Sequence, residues 1–371
     1  DAAELDVTFI PSLYLQRHVW ILRTLRRERV CSVIDVGCGE GQLLESLCNP
    51  APRLASPPPP LDTEYPVTEG EQYLHLHTIH ALDISAEDLK IAIELTKPPP
   101  VAPSGPRDWS WQPRWDEMDV KVWFGGLESV NREMEGVDCI VAMEVIEHLP
   151  HHVLDCFAPV LLGAYHPRLL LMTTPSYTFN ARFYPPNFTG TRGIPDPTHR
   201  TTRVFRHPDH KFEWTPQECK EWCEAAAHDW GYDVLVSGVG KASENDPWGR
   251  DADCGFASQV VLFRRREGDD WVKKRKQKSE TWLQNRVSEA ASMTHKLLVA
   301  HKFAKHEKAR CPVESERVGS TVQEVMLGWK QAEVVVSELW REERVRASCG
   351  GWLEVLLDAV VRNGAFEVRK D

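Results

Sequence analysis

Two periods of hydrophobicity run along the chain. Short apolar runs read as buried strands, and stretches with apolar residues three and four apart read as amphipathic helices. The segment around Pro11 to His18 leads into such a helix, expected to end near Arg29. Residues 32–35 form an apolar run that ends in a glycine-rich turn and a helix start. A second strand is expected over 75–82, a helix from Ser85 to about Lys97, and a third strand over 120–127. Residues 139–143 read as a buried central strand that leads into a helix reaching about 158, and residues 168–174 as a fifth strand. From Thr215 a helix is expected to about Trp230, with Pro216 in its first turn and Glu218 placed to complete a capping box. Residues 232–239 and 256–264 then read as two strands joined by a polar loop.

Several segments interrupt or extend this pattern. Residues 50–72, which include Pro57 to Pro60, read as a flexible surface insertion, and the Pro/Trp-rich residues 98–116 as a second. In residues 181–207, Arg182, Arg192, Arg200, Arg203 and Arg206 are interleaved with Phe183, Tyr184, Phe188 and Phe205, and Asp196 is the lone acid. The segment reads either as a basic groove for a single-stranded nucleic-acid end or as a Pro-rich loop kept soluble by its arginines. Beyond 266, a basic stretch opens at Lys273 and carries positive residues to Arg310 in what reads as a long helix. Amphipathic helices over about 319–347 and 351–362 follow, with no internal repeat. A solvated helix face explains the basic stretch as readily as contact with a phosphate backbone does.

Composition narrows the class. At 371 residues, 27% of them charged, the chain is long enough for one large domain and an extension. No apolar run is long enough to span a bilayer and no signal-peptide pattern is present, so no membrane association is expected. The chain opens at Asp1 rather than methionine and is expected to be a fragment or a processed form. Its ten cysteines are scattered, without a Cys-x-x-Cys pair, which fits reduced structural thiols in a cytoplasmic or nuclear protein. A net charge of −11 argues against nonspecific nucleic-acid binding by the whole surface and leaves room only for a local basic groove.

Three places offer chemistry. At the first, Asp35 is followed by Gly37, Gly39 and Gly41, which let the backbone approach a ligand closely at a helix N-terminus. A Gly-x-Gly-x-Gly turn alone also fits a dinucleotide-binding protein. With Asp35 at the strand end and no nicotinamide-type spacing after it, the turn fits the first motif of an S-adenosylmethionine methyltransferase better. Asp83 closes the second strand, where an acid suits a ribose diol, although Asp83 or Ser85 also suits a helix N-cap. At the second place, Glu144, Glu147 and His148 stand at i, i+3 and i+4, which on a helix puts two carboxylates and an imidazole on one face. Alone, this is equally a solvated helix start with acids favoured by the dipole. At the third, His207 and His210 lie among aromatics just before the helix at 215.

Together, Glu144-x-x-Glu147-His148 and Asp209-His210-Lys-Phe212-Glu213-Trp214-Thr215 resemble the small-RNA 3′-terminal 2′-O-methyltransferases of the HUA-enhancer type. The resemblance covers roughly residues 7–266. It includes Phe9 to His18, where Ser12 and His18 depart from the family pattern, and Thr174 to Asn180, where Ser176 and Thr178 do. It implies a class I, Rossmann-like S-adenosylmethionine-dependent fold with a mostly parallel seven-stranded sheet finished by antiparallel strands. A catalytic domain is then expected over 1–266, with a helical extension over 267–371. It also implies a divalent-metal site of Glu144, Glu147, His148 and His210, with His207 set aside because the family's ligand directly precedes Lys-Phe-Glu-Trp. Asp35, Gly37, Gly39, Gly41 and Asp83 are expected at the cofactor.

Mg²⁺ is the expected metal, although two carboxylates with two imidazoles suit it less well than an all-oxygen site does and leave room for Mn²⁺ or Co²⁺. The expected reaction is methylation of the 2′-OH at the 3′ end of a small RNA, protecting that end. A single-stranded end is favoured, since no duplex-binding module is recognisable, and an Argonaute- or Piwi-type protein is a candidate for presenting the RNA. Two other classes fit part of the pattern: a metal-dependent small-molecule O-methyltransferase and a catalytically silent RNA-end binder.

Overall fold

The computed structural model describes residues 4–55, 61, 73–99, 112–186, 188, 193–286 and 294–369. The strands are β1 (Ser32–Val36), β2 (Thr78–Asp83), β3 (Met118–Phe124), β4 (Cys139–Met143), β5 (Leu169–Pro175), β6 (Ile194–Pro195), β7 (Val204–Phe205), β8 (Tyr232–Val239), β9 (Ser258–Arg265) and β10 (Lys296–Phe303). All but β6 and β7 join one sheet in the order β10-β3-β2-β1-β4-β5-β9-β8. Strands β3, β2, β1, β4 and β5 are parallel, whereas β9, β8 and β10 run antiparallel to their neighbours. The short β6 and β7 form a separate antiparallel ribbon.

The helices are α1 (Leu13–Arg27), α2 (Gln42–Cys48), α3 (Ala86–Leu95), α4 (His151–Ala158), α5 (Pro216–Trp230), α6 (Asp251–Cys254), α7 (Asp269–Arg286), α8 (Ser315–Trp329), α9 (Val336–Leu339), α10 (Glu343–Ser348) and α11 (Leu353–Arg362). Alternate residues of each central strand serve opposite cores, so β4 and β5 read as continuous apolar runs. Val33, Cys139, Val141 and Leu171 face Ile21 and Leu25 of α1, Leu44 of α2 and Leu89 of α3. Ile34, Ile140, Ala142 and Met172 face Phe157 of α4 and Cys223 and Trp230 of α5. Helix α5 starts with the full capping box of Thr215 and Glu218 and stops at Gly231, whose φ of 72° is left-handed. Strand order reverses between β1 and β4, which opens a crevice at the carboxyl ends of the parallel strands.

Two expectations change here. Residues 144–158 are not one helix: Glu144 is left-handed at φ 55°, a single 3₁₀ turn covers Ile146–His148, and α4 begins only at His151. The three polar residues therefore do not share a helical face. The basic helix expected to reach Arg310 is described over Asp269–Arg286, and Lys296–Phe303 is not helix but a strand that pairs with β3 from Phe124 back to Met118. This eighth strand covers the edge that a seven-stranded sheet leaves open beside the buried Val120 and Val122.

The expected helix over 319–347 is three pieces, because Lys330 ends α8 in a left-handed conformation. Helices α8 to α11 build a third core that takes in Leu54 and Trp115. The indole N–H groups of Trp115 and Trp340 both donate to the Pro52 carbonyl, at 3.2 and 3.1 Å. Described flanks of the first two insertions are thus docked against the C-terminal helices. Pro57 to Pro60 lie outside the described residues.

Candidate methyltransferase site

The turn after β1 is built from glycines that need their conformation. Gly37, Gly39 and Gly41 have φ of 67°, 52° and 91°. A Cβ on Gly37 would stand 2.5 Å from Val145 Cγ2, and one on Gly41 would stand 3.0 Å from the Ala92 backbone. A Cβ on Gly39 would meet no atom within 4 Å, so this part of the turn faces open space. The Gly39 N–H donates to Asp83 Oδ2 and the Ser85 N–H to Asp83 Oδ1, each at 2.8 Å. Ser85 in turn caps α3 by accepting from the Asp88 N–H. Asp83 therefore secures the glycine turn and the start of α3, and its carboxylate oxygens keep lone pairs for a ligand.

Asp35 is buried and its Oδ2 has no partner. Burial, with Asp83 nearby, raises its carboxyl pKa to about 8. An orphaned acidic oxygen beside an open glycine turn fits a nucleoside ligand carrying an ammonium group, so these residues fit S-adenosylmethionine.

The second half of the site lies at the ends of β4 and β5. Thr173 Oγ1 and Ser258 Oγ donate to Glu144 Oε1 at 2.7 and 3.0 Å, and Arg17 of α1 donates to Oε2. The Glu144 N–H is tied to the Thr173 carbonyl at 3.0 Å, which holds the left-handed residue in place. Glu147 is fully buried; Thr174 donates to its Oε2 at 3.0 Å, and Oε1 has no partner. Burial, and then the neighbouring Glu144, hold the Glu147 carboxyl well above the usual range. A buried, partnerless carboxylate oxygen is a group that a bound cation would satisfy.

His148 follows on the same turn. Burial and the adjacent His210 lower its pKa, and its ring bonds the Asp209 backbone. The Nδ1 of His210 lies 2.7 Å from Glu213 Oε1, while Asn180 donates to Glu213 Oε2 at 2.6 Å. This carboxylate–imidazole pair fixes the ring and leaves Nε2 for a ligand. The segment is tied in place by the Lys211 N–H on the Glu147 carbonyl, at 2.8 Å, and by the Tyr177 N–H and Gln259 side chain on the Trp214 carbonyl, both at 3.0 Å.

Among the described residues, the ligand atoms that gather within 4.8 Å of one another are those of His148, His207 and His210. The structure thus brings His148 and His210 together as expected, and with them His207, which the sequence reading set aside. Glu144 and Glu147 are not in that group. The residues sequence reasoning missed are Glu213, Thr173, Thr174, Ser258 and Arg17. Glu213 had a local signal, three residues after His210, and the threonines stand as a polar pair at the end of an apolar run. Arg17, 127 residues from its partner, had none.

The arginine-rich segment also differs from expectation. Arg182 is buried and donates to the Glu244 carbonyl at 2.7 Å, beside Asp246 and Asp251. Arg203 makes a two-pronged pair with Glu218 at 2.8 Å, and Phe205 is in the core. These three are spent on folding. Arg200 is exposed, Arg206 lies over Phe183, and Tyr184 stacks on Phe188 at 4.8 Å. Arg192 lies outside the described residues. Helix α7 is at the opposite end of the sheet from the site: its Arg275 donates to the carbonyls of Gly231 and Arg266, where β8 begins and β9 ends.

The strand order, the glycine turn with its acids and the polar groups at the ends of β4 and β5 define a Rossmann-like class I fold of the S-adenosylmethionine-dependent methyltransferases. No family model matches the chain. It is 29% identical over 270 residues to the small RNA 2′-O-methyltransferase of Arabidopsis thaliana, covering 69% of this chain and 23% of the relative. It is 28% identical over 288 residues to that of Gallus gallus, covering 78% and 61%. The crystal structure of the small RNA methyltransferase HEN1 superposes with a TM-score of 0.50 at 25% identity, over 82% of this chain and 29% of that one. Both relatives carry the name small RNA 2′-O-methyltransferase, and it is to proteins of that name that the chain is similar. It spans about a quarter to three-fifths of the length of these curated relatives.

Proposed function

We propose that the protein transfers a methyl group from S-adenosylmethionine to the 2′-OH of the 3′-terminal nucleotide of a small RNA, with a divalent metal at Glu144, Glu147, His148 and His210. The observation that carries the reading is Glu147. Its buried, partnerless Oε1 sits on the same turn as His148, which faces His210, beside the crevice that holds the glycine turn. The relatives named small RNA 2′-O-methyltransferases support the choice of acceptor.

A divalent cation held there would supply Lewis acidity to a terminal 2′,3′-diol, making the 2′-OH more acidic. The nitrogen donors favour Mn²⁺ or Co²⁺ over Mg²⁺. S-adenosylmethionine would supply an electrophilic methyl group. The chain's own residues then have the task of alignment. Gly39 leaves room for the cofactor, Asp83 offers lone pairs to a ribose, and Asp35 offers an oxygen to an ammonium. Glu213 and the Asp209 backbone aim the two imidazoles. With one nitrogen of each ring held by those bonds and the other given to a metal, neither His148 nor His210 would have a nitrogen free to take the 2′-OH proton.

Exposed Arg200, Arg206 over Phe183 and paired with Glu4, and the Tyr184–Phe188 stack are the groups of this segment that would meet a single-stranded end. The product identifies the reaction, because a 2′-O-methylated terminus has lost the vicinal diol that periodate cleaves. RNA incubated with the protein, cofactor and Mn²⁺ is expected to become periodate-resistant. Methylation of a catechol with no change in RNA supports a small-molecule enzyme instead, and RNA binding without resistance a silent binder.

A further inference from the structure

Resting on the metal reading just given, we propose that His207 is a third imidazole ligand of the site in the protein without RNA. His207 and His210 are held on one turn, with the His210 N–H directed at the His207 carbonyl and the two rings 4.8 Å apart at 27°. The His148 ring stands nearly perpendicular to both, at 4.9 Å from His210 and 5.7 Å from His207. The donor atoms of all three lie within 4.8 Å of one another. A tetrahedral ion with metal–nitrogen bonds of about 2.1 Å separates its nitrogens by about 3.4 Å. The widest separation therefore needs to close by up to about 1.4 Å.

His207 is the ring that can move. Its side chain is 53% exposed against 12% for His210, and His210 is clamped by Glu213. Among the described residues, the one hydrogen bond to the His207 ring, from the Asp209 N–H to Nδ1, is long at 3.3 Å and weak. Thr173 and Ser258 fill Glu144 Oε1, whereas Oε2 accepts only from Arg17 and keeps a lone pair. The donors with free capacity are thus three imidazoles, Glu147 Oε1 and the second lone pair of Glu144 Oε2. Such a nitrogen-rich set selects borderline ions such as Co²⁺ and Zn²⁺ over Mg²⁺. As the outermost ligand, His207 is also the one that yields when a diol takes up coordination positions.

The test is direct binding of Co²⁺, Zn²⁺ and Mg²⁺ to the full chain and to His207→Asn and His207→Ala, with His148→Ala and His210→Ala alongside. The cobalt absorption spectrum reports on the ligand set. Both His207 variants are expected to bind Co²⁺ and Zn²⁺ about tenfold or more weakly, with an altered cobalt spectrum and unchanged Mg²⁺ binding. Parent-like cobalt affinity and spectrum in both His207 variants, while His148→Ala and His210→Ala lose binding, overturns the role of His207 alone. If the His148 and His210 variants also bind as the parent does, the metal-site reading falls, and this inference with it.

Discussion

Asp35 shows how burial and a like charge prepare one end of the site. Its carboxyl, raised to about 8 by burial and Asp83, is neutral in the free protein at pH 7. A cofactor ammonium against the orphaned oxygen favours the ionised form, so binding at pH 7 releases a proton and tightens as pH rises toward 8. The binding enthalpy should therefore change with the ionisation enthalpy of the buffer; a buffer-independent enthalpy at pH 7 would remove Asp35 from the contact. The same raised pKa has a stability consequence of fixed sign. The unfolded chain gives up this proton near the ordinary value of 3.8 and the folded chain only near 8, so the contribution of Asp35 to stability falls across that window as pH rises.

Glu213 acts at the other end through His210. Glu213→Gln keeps the shape and removes the charge, and it should weaken Mn²⁺ or Co²⁺ binding about 10- to 100-fold. Unchanged metal affinity would mean that the Glu213 pair only supports the fold. At this scale the sequence was informative where chemistry is local. The two motifs that carry His148 and His210 do come together in the fold, and Ser85 caps α3 at the strand end where the sequence places a cap. What could not be read was conformation and reach. Nothing local marks Glu144 as left-handed, and a strand followed by acids reads as a helix start. Nothing marks Arg17 as the partner of Glu144, or His207 as a neighbour of His148, until the chain is folded.

Among the elements, the parallel strands and their helices were legible because strands buried on both faces read as unbroken apolar runs and α5 carries its own capping box. Strand β10 was misread because basic residues precede it and its own pattern, exposed at Lys296 and Leu297 and buried only at Phe303, is weak. Its strand conformation comes from pairing with β3, a long-range contact. A chain ending at Arg286 would uncover the β3 edge at Val120 and Val122 and remove the third core. Size-exclusion chromatography should find it aggregated where the full chain is not. A monodisperse truncated protein with the melting temperature of the full chain would show that β10 is an accessory strand.

At the scale of the whole molecule, the cofactor turn and the metal-competent groups lie at one end of the sheet, and the basic α7 lies at the other. The candidate site thus lies in the crevice where strand order reverses, although the net charge of the chain is −11. The central claim is that a cation in this crevice and a terminal diol act together. Transfer of labelled methyl from S-adenosylmethionine should therefore be measured on two matched short RNAs, one with a terminal 2′-OH and one 2′-deoxy, each with Mn²⁺ and with EDTA. Label is expected only on the diol RNA and only with metal. Equal label on the 2′-deoxy RNA, or label that survives EDTA, would contradict the account.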